Sequence, residues 1–425
     1  MVRAALTAAD AGGLVRHALM DPDTRRSLQS ASAIDLVAVG KAAHAMLTAA
    51  ADSAASLPLR HVVGVSSQPG VGLPPGAGWY TSAHPIPDDR SVAAARAVLD
   101  IAAAGHVDDL LVLLLSGGAS ALMALPAEGI SLEDKRRTSA RLLKEGAEVH
   151  ALNTVRKHLS AIKGGQLAAI AGGAVLTLTV SDVVGDDLSA IGSGPTVPDA
   201  TTFADALEIL GQYGGRDRYP EAVVRRLTEG VGGGVVETPK PGDLRLARSR
   251  SRVIGGSRTA IDGARAAAVS RGYTVHVIDT PVVGEARVAA RGLLDEASRV
   301  RLGRGGPLCI LAAGETTVRV RGSGKGGRNQ ECALAMAAGI GLLGPAVVAA
   351  SVGTDGVDGP TDAAGGIVDA TTLARADAAG LGSPERYLDD NNSYAFLDVL
   401  GDLVRTGPTN TNVGDLHVIL VGPKN

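Results

Sequence analysis

Aromatic side chains are nearly missing from this 425-residue chain: two Phe, six Tyr and one Trp, 2% of the whole. Proteins that hold single-stranded nucleic acid stack bases on such rings, so this chain has little to stack with. An excess of charge of one sign is also absent. Against 41 Lys and Arg stand 44 Asp and Glu, a net charge of −3, and no global field draws in nucleic acid or a membrane surface. Cysteine is scarce. Cys309 and Cys332 fall in a predicted strand and a predicted helix without partnered spacing, so they read as buried thiols of a reducing cytosol. No Cys/His cluster with metal-ligand spacing appears. The longest fully apolar stretch, near Leu110–Leu115, is far too short to cross a bilayer, and the opening MVRAALTAADAGG has no apolar leader core. These absences point to a cytoplasmic globular protein with neither nucleic acid nor membrane as partner.

What is present is a rhythm of short apolar runs, Gly-containing turns and helical segments. Runs such as Ile34–Gly40, Leu110–Leu115, Ala174–Ser181, Leu308–Ala312 and Val347–Val352 suit parallel strands buried on both faces. Between them lie helix candidates, among them Lys41–Ala54, Asp88–Ala104, Leu152–Ala171 and Asn329–Ile340. The fold class is α/β, and the length calls for two domains. The Gly/Pro-rich, aperiodic stretch Gly230–Ser249 reads as a linker. It puts the boundary near there, with domains expected at 1–235 and 236–425.

The stretch around which the rest is organised is Val318–Ile340. It reads as a strand end, a glycine-rich loop with Arg321, Lys325 and Arg328, then a helix. Cations at a helix N-terminus oppose its dipole; an anion there would reverse the balance, so the loop reads as an anion trap. A second such place is Val37–Met46, where Lys41 follows Gly40 at the end of a buried strand. Neither is a Walker A loop, which needs Gly-Lys followed by Ser or Thr.

At Leu111–Ala121 a buried strand runs into Ser116-Gly117-Gly118-Ala119-Ser120, small residues that let phosphate oxygens approach backbone N–H groups. This turn lacks the full Gly-x-Gly-x-x-Gly fingerprint of a dinucleotide site. Beyond another strand lie Asp182, Asp186 and Asp187, followed by the Gly192-Ser193-Gly194-Pro195 turn; Asp355, Asp358 and Asp362 repeat the arrangement. Carboxylates so placed can hold Mg²⁺ or take a proton from a hydroxyl, although capping a following segment suits Asp186 and Asp187. On the predicted Asn153–Gln166 helix, Arg156 and Lys163 lie two turns apart and could reach one anion. His84, before Pro85, could contact substrate, though a structural turn is the better reading. Basic loops and acidic loops in both halves are the mixture that phosphoryl transfer requires.

The chain also resembles the class II glycerate 2-kinases, whose C-terminal part is the MOFRL domain. The resemblance runs almost end to end: VAVGKAA (37–43), SAHPIPD (82–88), LLSGGASAL (114–122), LNTVRKHLSAIKGGQLA (152–168), SDVVGDDLSAIGSGPTVPD (181–199), AAGETTVRVRGSGKGGRNQE (312–331), GTDGVDGPTDAAG (353–365) and TGPTNTNVGDL (406–416). One departure is Gly256-Ser257-Arg258-Thr259, where such proteins often read Ser-Asn-Arg-Thr. The resemblance implies a Rossmann-like N-terminal domain with a mostly parallel sheet, a MOFRL-type mixed sheet in the C-terminal domain, and an active site in the cleft between them. It implies ATP-dependent, Mg²⁺-assisted phosphorylation of D-glycerate to 2-phosphoglycerate. Lys41 and Arg328 are expected to be catalytic and Asp182 to lie in the site. Ser116, Gly117, Gly118 and Ser120 would cradle ATP phosphates, and Arg156 or Lys163 would hold the substrate carboxylate. Gly192, Ser193, Gly194, Glu315, Lys325 and Asn329 join the expected ligand contacts, with Asp355 and Asp186 for the metal. A homodimer is a further expectation. An NAD(P)H-dependent hydroxypyruvate reductase and a non-catalytic sugar-acid or phosphate binder stand as alternatives.

Overall fold

The computed structural model describes residues 1–302 and 305–423. They form two compact units, one of Ala11–Ile254 and one of Gly255–Asn425 joined by Met1–Asp10.

The 11–254 unit is built on strands β1 (Ile34–Val39), β2 (Leu59–Ser66), β3 (Gly78–Thr81), β4 (Leu110–Leu115), β5 (Ala174–Val180) and β6 (Ser249–Gly255). They line up as β3-β2-β1-β4-β5-β6, and the pairs from β3 to β5 are parallel. This is the expected Rossmann-like order, starting mid-sheet, running to one edge, then returning to run to the other. Every residue of β1 and β4 is buried, as strands require when helices cover both faces; the one charged residue of β1, Asp35, is paired with Arg60. Val37, Val39, Leu111, Leu113 and Leu115 pack against Ala94 and Val98 of the Asp89–Ala103 helix. That helix starts where Asp88 and Ser91 form a capping box, the arrangement that satisfies free N–H groups at a helix start.

Two expected elements are different. The helix expected over Leu152–Ala171 is broken into Val149–His158 and Gln166–Ile170, because Gly164 and Gly165 take the left-handed backbone at φ +59° and +83°. Nor is the 230–249 stretch a linker. Glu237 accepts from the Phe203 N–H (2.7 Å), and the Thr238 hydroxyl donates to Asp199 Oδ2 (3.0 Å). β6 then joins the edge of the sheet beside β5, so the units part at Ile254/Gly255 rather than at 235/236.

The other unit carries a mixed sheet of β7 (Thr274–Val277), β8 (Val282–Glu285), β9 (Leu308–Thr317), β10 (Val347–Gly353), β11 (Gly365–Asp369), β12 (Leu403–Val404) and β13 (Asp415–Val421). The order is β12-β11-β10-β13-β9-β7, with β8 also pairing β9. β13 is antiparallel to both its neighbours, β9 and β10. The core includes Leu293, Ile310, Leu334, Met336, Phe396 and Ile419. Helix Val2–Ala8 packs on helix Ser257–Val269, where a Cβ on Gly263 would lie 2.5 Å from that of Ala8. Cys309 and Cys332 are unpaired and buried, as expected. Among the described residues no helix is long and apolar enough to cross a membrane.

Candidate active site

In the 11–254 unit the strand order reverses between β1 and β4, and ligands of open α/β sheets bind beyond the carboxyl ends at such a point. Two of the expected loops meet there. Gly40, directly after β1, has φ +134°, and a Cβ on it would lie 2.1 Å from Ser116 Oγ. The Lys41 N–H donates to Gly117 O (2.9 Å) and the Ala42 N–H to Ser116 Oγ (3.1 Å). Lys41 is exposed at this edge. The His84 ring, read from sequence chiefly as a turn residue, lies 3.0 Å from where a Gly118 Cβ would be.

Below this edge is a closed polar network. Lys163 Nζ donates to Ser120 Oγ (2.8 Å), Ser120 O (3.0 Å) and Gly192 O (3.1 Å). Ser120 Oγ is 3.0 Å from Ser193 Oγ, which donates to Asn153 Oδ1 at 3.0 Å. Gly192, Ser193 and Gly194 are all left-handed, at φ +60°, +61° and +60°, a strained run that turns the Ser193 hydroxyl inward. Lys163 is 2% exposed. Burial pushes its pKa well below the ordinary lysine value, with Lys135 and Arg156 adding to the shift. An ammonium has three donors, and all three here have protein acceptors. Lys163 thus ties the Ser120 and Gly192 loops together. Arg156, on the other side of the helix break, donates to Ser139 Oγ at 3.4 Å, so the expected pairing of Arg156 and Lys163 along one helix does not form.

Asp182 follows β5, part-exposed, and Asp186 sits in the next turn with φ +55°. Asp187 accepts from the N–H and hydroxyl of Ser189 (2.8 and 3.0 Å), the capping role expected of it.

In the 255–425 unit the glycine-rich loop is not an open anion trap. The N–H groups of Arg321 and Gly322 go to Asn391 Oδ1, Ser323 to Asp390 Oδ1, Gly324 to Asp390 O and Lys325 to Asn392 Oδ1. Gly322, Gly324 and Gly327 match the bare Gly-x-Gly-x-x-Gly spacing, but here the glycines admit protein. Cβ atoms would lie 2.3 Å from Asp390 Cα, Asn392 Cβ and Asp358 Cγ respectively. Lys325 Nζ stands 4.7 Å over the Tyr394 ring.

The helix Arg328–Ala337 carries its own anion. Asp358 takes the Asn329 N–H on one carboxylate oxygen (3.1 Å) and the Gln330 N–H on the other (2.8 Å). Burial pushes the Asp358 pKa up to about 6; these two bonds oppose the shift and nearby Asp415 adds to it. Arg328 Nε is held by both oxygens of Asp415, at 3.0 and 2.8 Å. Burial would lower the Arg328 pKa, but the Asp415 bonds outweigh it and raise it. Glu315 Oε1 lies 3.8 Å from Arg328 Nη2. Asn329 is fully buried, donating to Asp415 Oδ1 (2.8 Å) and accepting from Ser351 Oγ (2.7 Å). Through Asp415 it is linked to Arg328. Asp355 Oδ1 accepts the Val357 N–H at 3.2 Å. Asp415 escaped the sequence reading. Its signals are a carboxylate opening the strand DLHVILV and its place in the TGPTNTNVGDL motif.

Comparison with known proteins gives these positions a family. The model described as Domain of unknown function (DUF4147) matches residues 1–228, and that of the MOFRL family matches 308–415. A glycerate 2-kinase of Pyrococcus horikoshii is 42% identical over 347 residues, covering 80% of this chain and 77% of that protein. A D-glycerate 2-kinase of Thermotoga maritima is 40% identical over 392 residues, 91% of this chain and 90% of its own. The chain belongs to the glycerate kinase family. The crystal structure of a Thermotoga maritima glycerate kinase matches it with a TM-score of 0.86 at 38% identity, over 99% of this chain and 97% of the other. Both units are thus glycerate kinase units, the MOFRL match falling wholly within the second.

Proposed function

We propose that this protein is a glycerate 2-kinase, moving the γ-phosphoryl group of ATP to the 2-hydroxyl of D-glycerate and leaving ADP and 2-phosphoglycerate. The observation that carries the reading is the stitching of Lys41 to Ser116-Gly117 at the switch point of the 11–254 sheet, in a chain of this family. Lys41 and Arg328 are assigned to the charge on the transferring phosphoryl group, where positioning and cations do most of the work. Asp182 is assigned to orient or deprotonate the substrate hydroxyl. Ser116, Gly117 and Gly118 would receive phosphate oxygens, with Ser120 and the Gly192–Gly194 turn holding that loop in shape.

Among the described residues no three His, Cys, Asp or Glu side chains gather as a ready-made metal site. Mg²⁺ asks for less, since it keeps its waters and phosphate ligands and takes one or two carboxylates. Asp355 and Asp186, both part-exposed, fit that demand and would be the protein's contribution; the ion would neutralise charge on the β- and γ-phosphates. We extend the reading to a cytoplasmic enzyme, in keeping with the two unpaired thiols, and to a homodimer, which sedimentation would test.

The experiment is ADP release from ATP with D-glycerate, with NMR of the product, beside nicotinamide absorbance with hydroxypyruvate. Kinase turnover without nicotinamide oxidation is expected. Arg328→Ala should lower kcat by about 10³-fold or more. Near-wild-type turnover in that variant would remove Arg328 from the chemistry.

A further inference from the structure

The arginine assigned to the phosphoryl group is hydrogen-bonded through Nε by Asp415, while at its terminal nitrogens Glu315 Oε1 stands 3.8 Å from Nη2, beyond hydrogen-bond reach. Arg328 Nε–H points inward to both oxygens of Asp415. Asp415 itself is 1% exposed, while the Arg328 side chain remains 31% exposed. A guanidinium has five N–H donors. With the Nε donor used, the four on the two terminal nitrogens form the edge that grips anions two oxygens at a time.

The grip is itself fixed. Asp415 Oδ1 takes a second bond from Asn329 Nδ2 (2.8 Å), and Oδ2 one from the Thr316 N–H (3.2 Å). Asn329 is in turn set by Ser351 Oγ and by Asp358. Asp415 opens β13 and pairs with Gly314 of β9 and Gly353 of β10, so its Cα cannot drift without disturbing three strands. This is a side chain locked by packing and by secondary hydrogen bonds, the condition for holding a reacting group in place.

We propose that Asp415 is a positioning residue for phosphoryl transfer, setting the direction in which the terminal nitrogens of Arg328 face. The inference rests on the reading of Arg328 as the cation that meets the phosphoryl group. Asp415 touches neither substrate nor nucleotide in this account and acts through Arg328 alone. Its negative charge has a second effect: it compensates the guanidinium on the inner side, so an arriving phosphate meets an oriented donor edge rather than a free-swinging cation.

The test uses the full-length protein with D-glycerate and Mg-ATP, reading kcat, both KM values and the thermal midpoint. The variants are Asp415→Asn, Asp415→Glu, Arg328→Lys and the double Asp415→Asn/Arg328→Lys. Asn keeps the shape but offers one acceptor oxygen, so the guanidinium loses its two-point seat. Asp415→Asn is expected to lower kcat about 10²-fold, the scale of a misplacement near 1 Å, with both KM values changed by less than about threefold. Asp415→Glu is expected to recover part of that loss. In the Arg328→Lys background, Asp415→Asn should cost less than about threefold more, because the group it positions is gone. Wild-type kcat in Asp415→Asn with only a lower midpoint would make Asp415 a structural anchor and overturn the inference. A further 10²-fold loss in the double variant would show that it acts through something other than Arg328. Wild-type turnover in Arg328→Lys would be a different failure, that of the reading of Arg328 itself. If Asp415→Asn does not fold, Asp415→Glu carries the same test, since an intermediate kcat loss at unchanged KM is expected there too.

Discussion

Ser120 Oγ lies 2.8 Å from Lys163 Nζ, which donates also to Ser120 O and Gly192 O and so joins two loops. Lys163→Met would leave the carbonyl oxygens of Ser120 and Gly192 without this donor, at about 1–3 kcal/mol for each buried group left unsatisfied. The expected result is a lower urea midpoint together with a fall in kcat. A lysine that held the substrate carboxylate would instead raise the KM for D-glycerate and leave the midpoint alone, so the two measurements separate the roles.

Gly40→Ala tests the stitch between β1 and β4. The left-handed backbone costs a non-glycine residue about 1–2 kcal/mol, and the new methyl would collide with Ser116 Oγ at 2.1 Å. Overpacking of this kind adds about 1–3 kcal/mol. A matching drop in urea stability is expected, along with lost turnover, since the Lys41 and Ser116 turns must separate. A fully active, fully stable alanine variant would mean that they need not touch.

Asp358 gives a pH dependence of definite sign. Its folded pKa, about 6, lies above the ordinary value of 3.8, so the folded state binds the proton more tightly. Its contribution to stability is complete below the unfolded value and is lost as pH rises through about 6. Urea midpoints for Asp358→Asn should therefore lack a decline that the parent shows between pH 4 and 6, roughly the interval between those two values. Identical slopes in the two proteins would contradict the assignment.

Glu237 has the opposite sign. Burial would raise its pKa, but bonds from His158, Lys240 and the Phe203 N–H outweigh that and hold it down to about 2, against 4.5 ordinarily. Stability from this carboxylate is present above its unfolded pKa and is lost as pH falls from about 4.5 through about 2. Glu237→Gln is expected to weaken the protein at neutral pH and to narrow the gap between variant and parent in acid. A gap that stays constant from pH 7 to 3, a span that crosses most of that titration, would contradict this.

The sheets were legible because their strands are written as local patterns. Leu110–Leu115 is apolar throughout and is found at the expected bounds, and Gly40-Lys41 and Ser116–Ser120 could be placed at strand ends by counting. The state of the 318–328 loop could not be read in that way. Its acceptors, Asn391, Asp390 and Asn392, lie tens of residues away in sequence, and no spacing within the loop shows that its N–H groups are already committed. The helix break at Gly164-Gly165 was missed for a related reason. Two glycines lower helix propensity only modestly, and the left-handed turn there is held by the Gly164 N–H to Ser193 O (3.0 Å) and the Gly165 N–H to Gly194 O (2.7 Å), partners tens of residues away. The same limit hid Asp415, whose importance lies in what folds against it.

The place of β13 also bears on synthesis. It fills the space between β9 and β10, so until residues 415–421 leave the ribosome those two strands have no bridge. The 11–254 sheet needs only residues up to β6 and can close earlier. Helix Val2–Ala8, made well before Ser257–Val269, must wait for that partner. A translation stall just short of β13 would leave two long unpaired edges facing solvent, the kind of surface on which nascent chains aggregate.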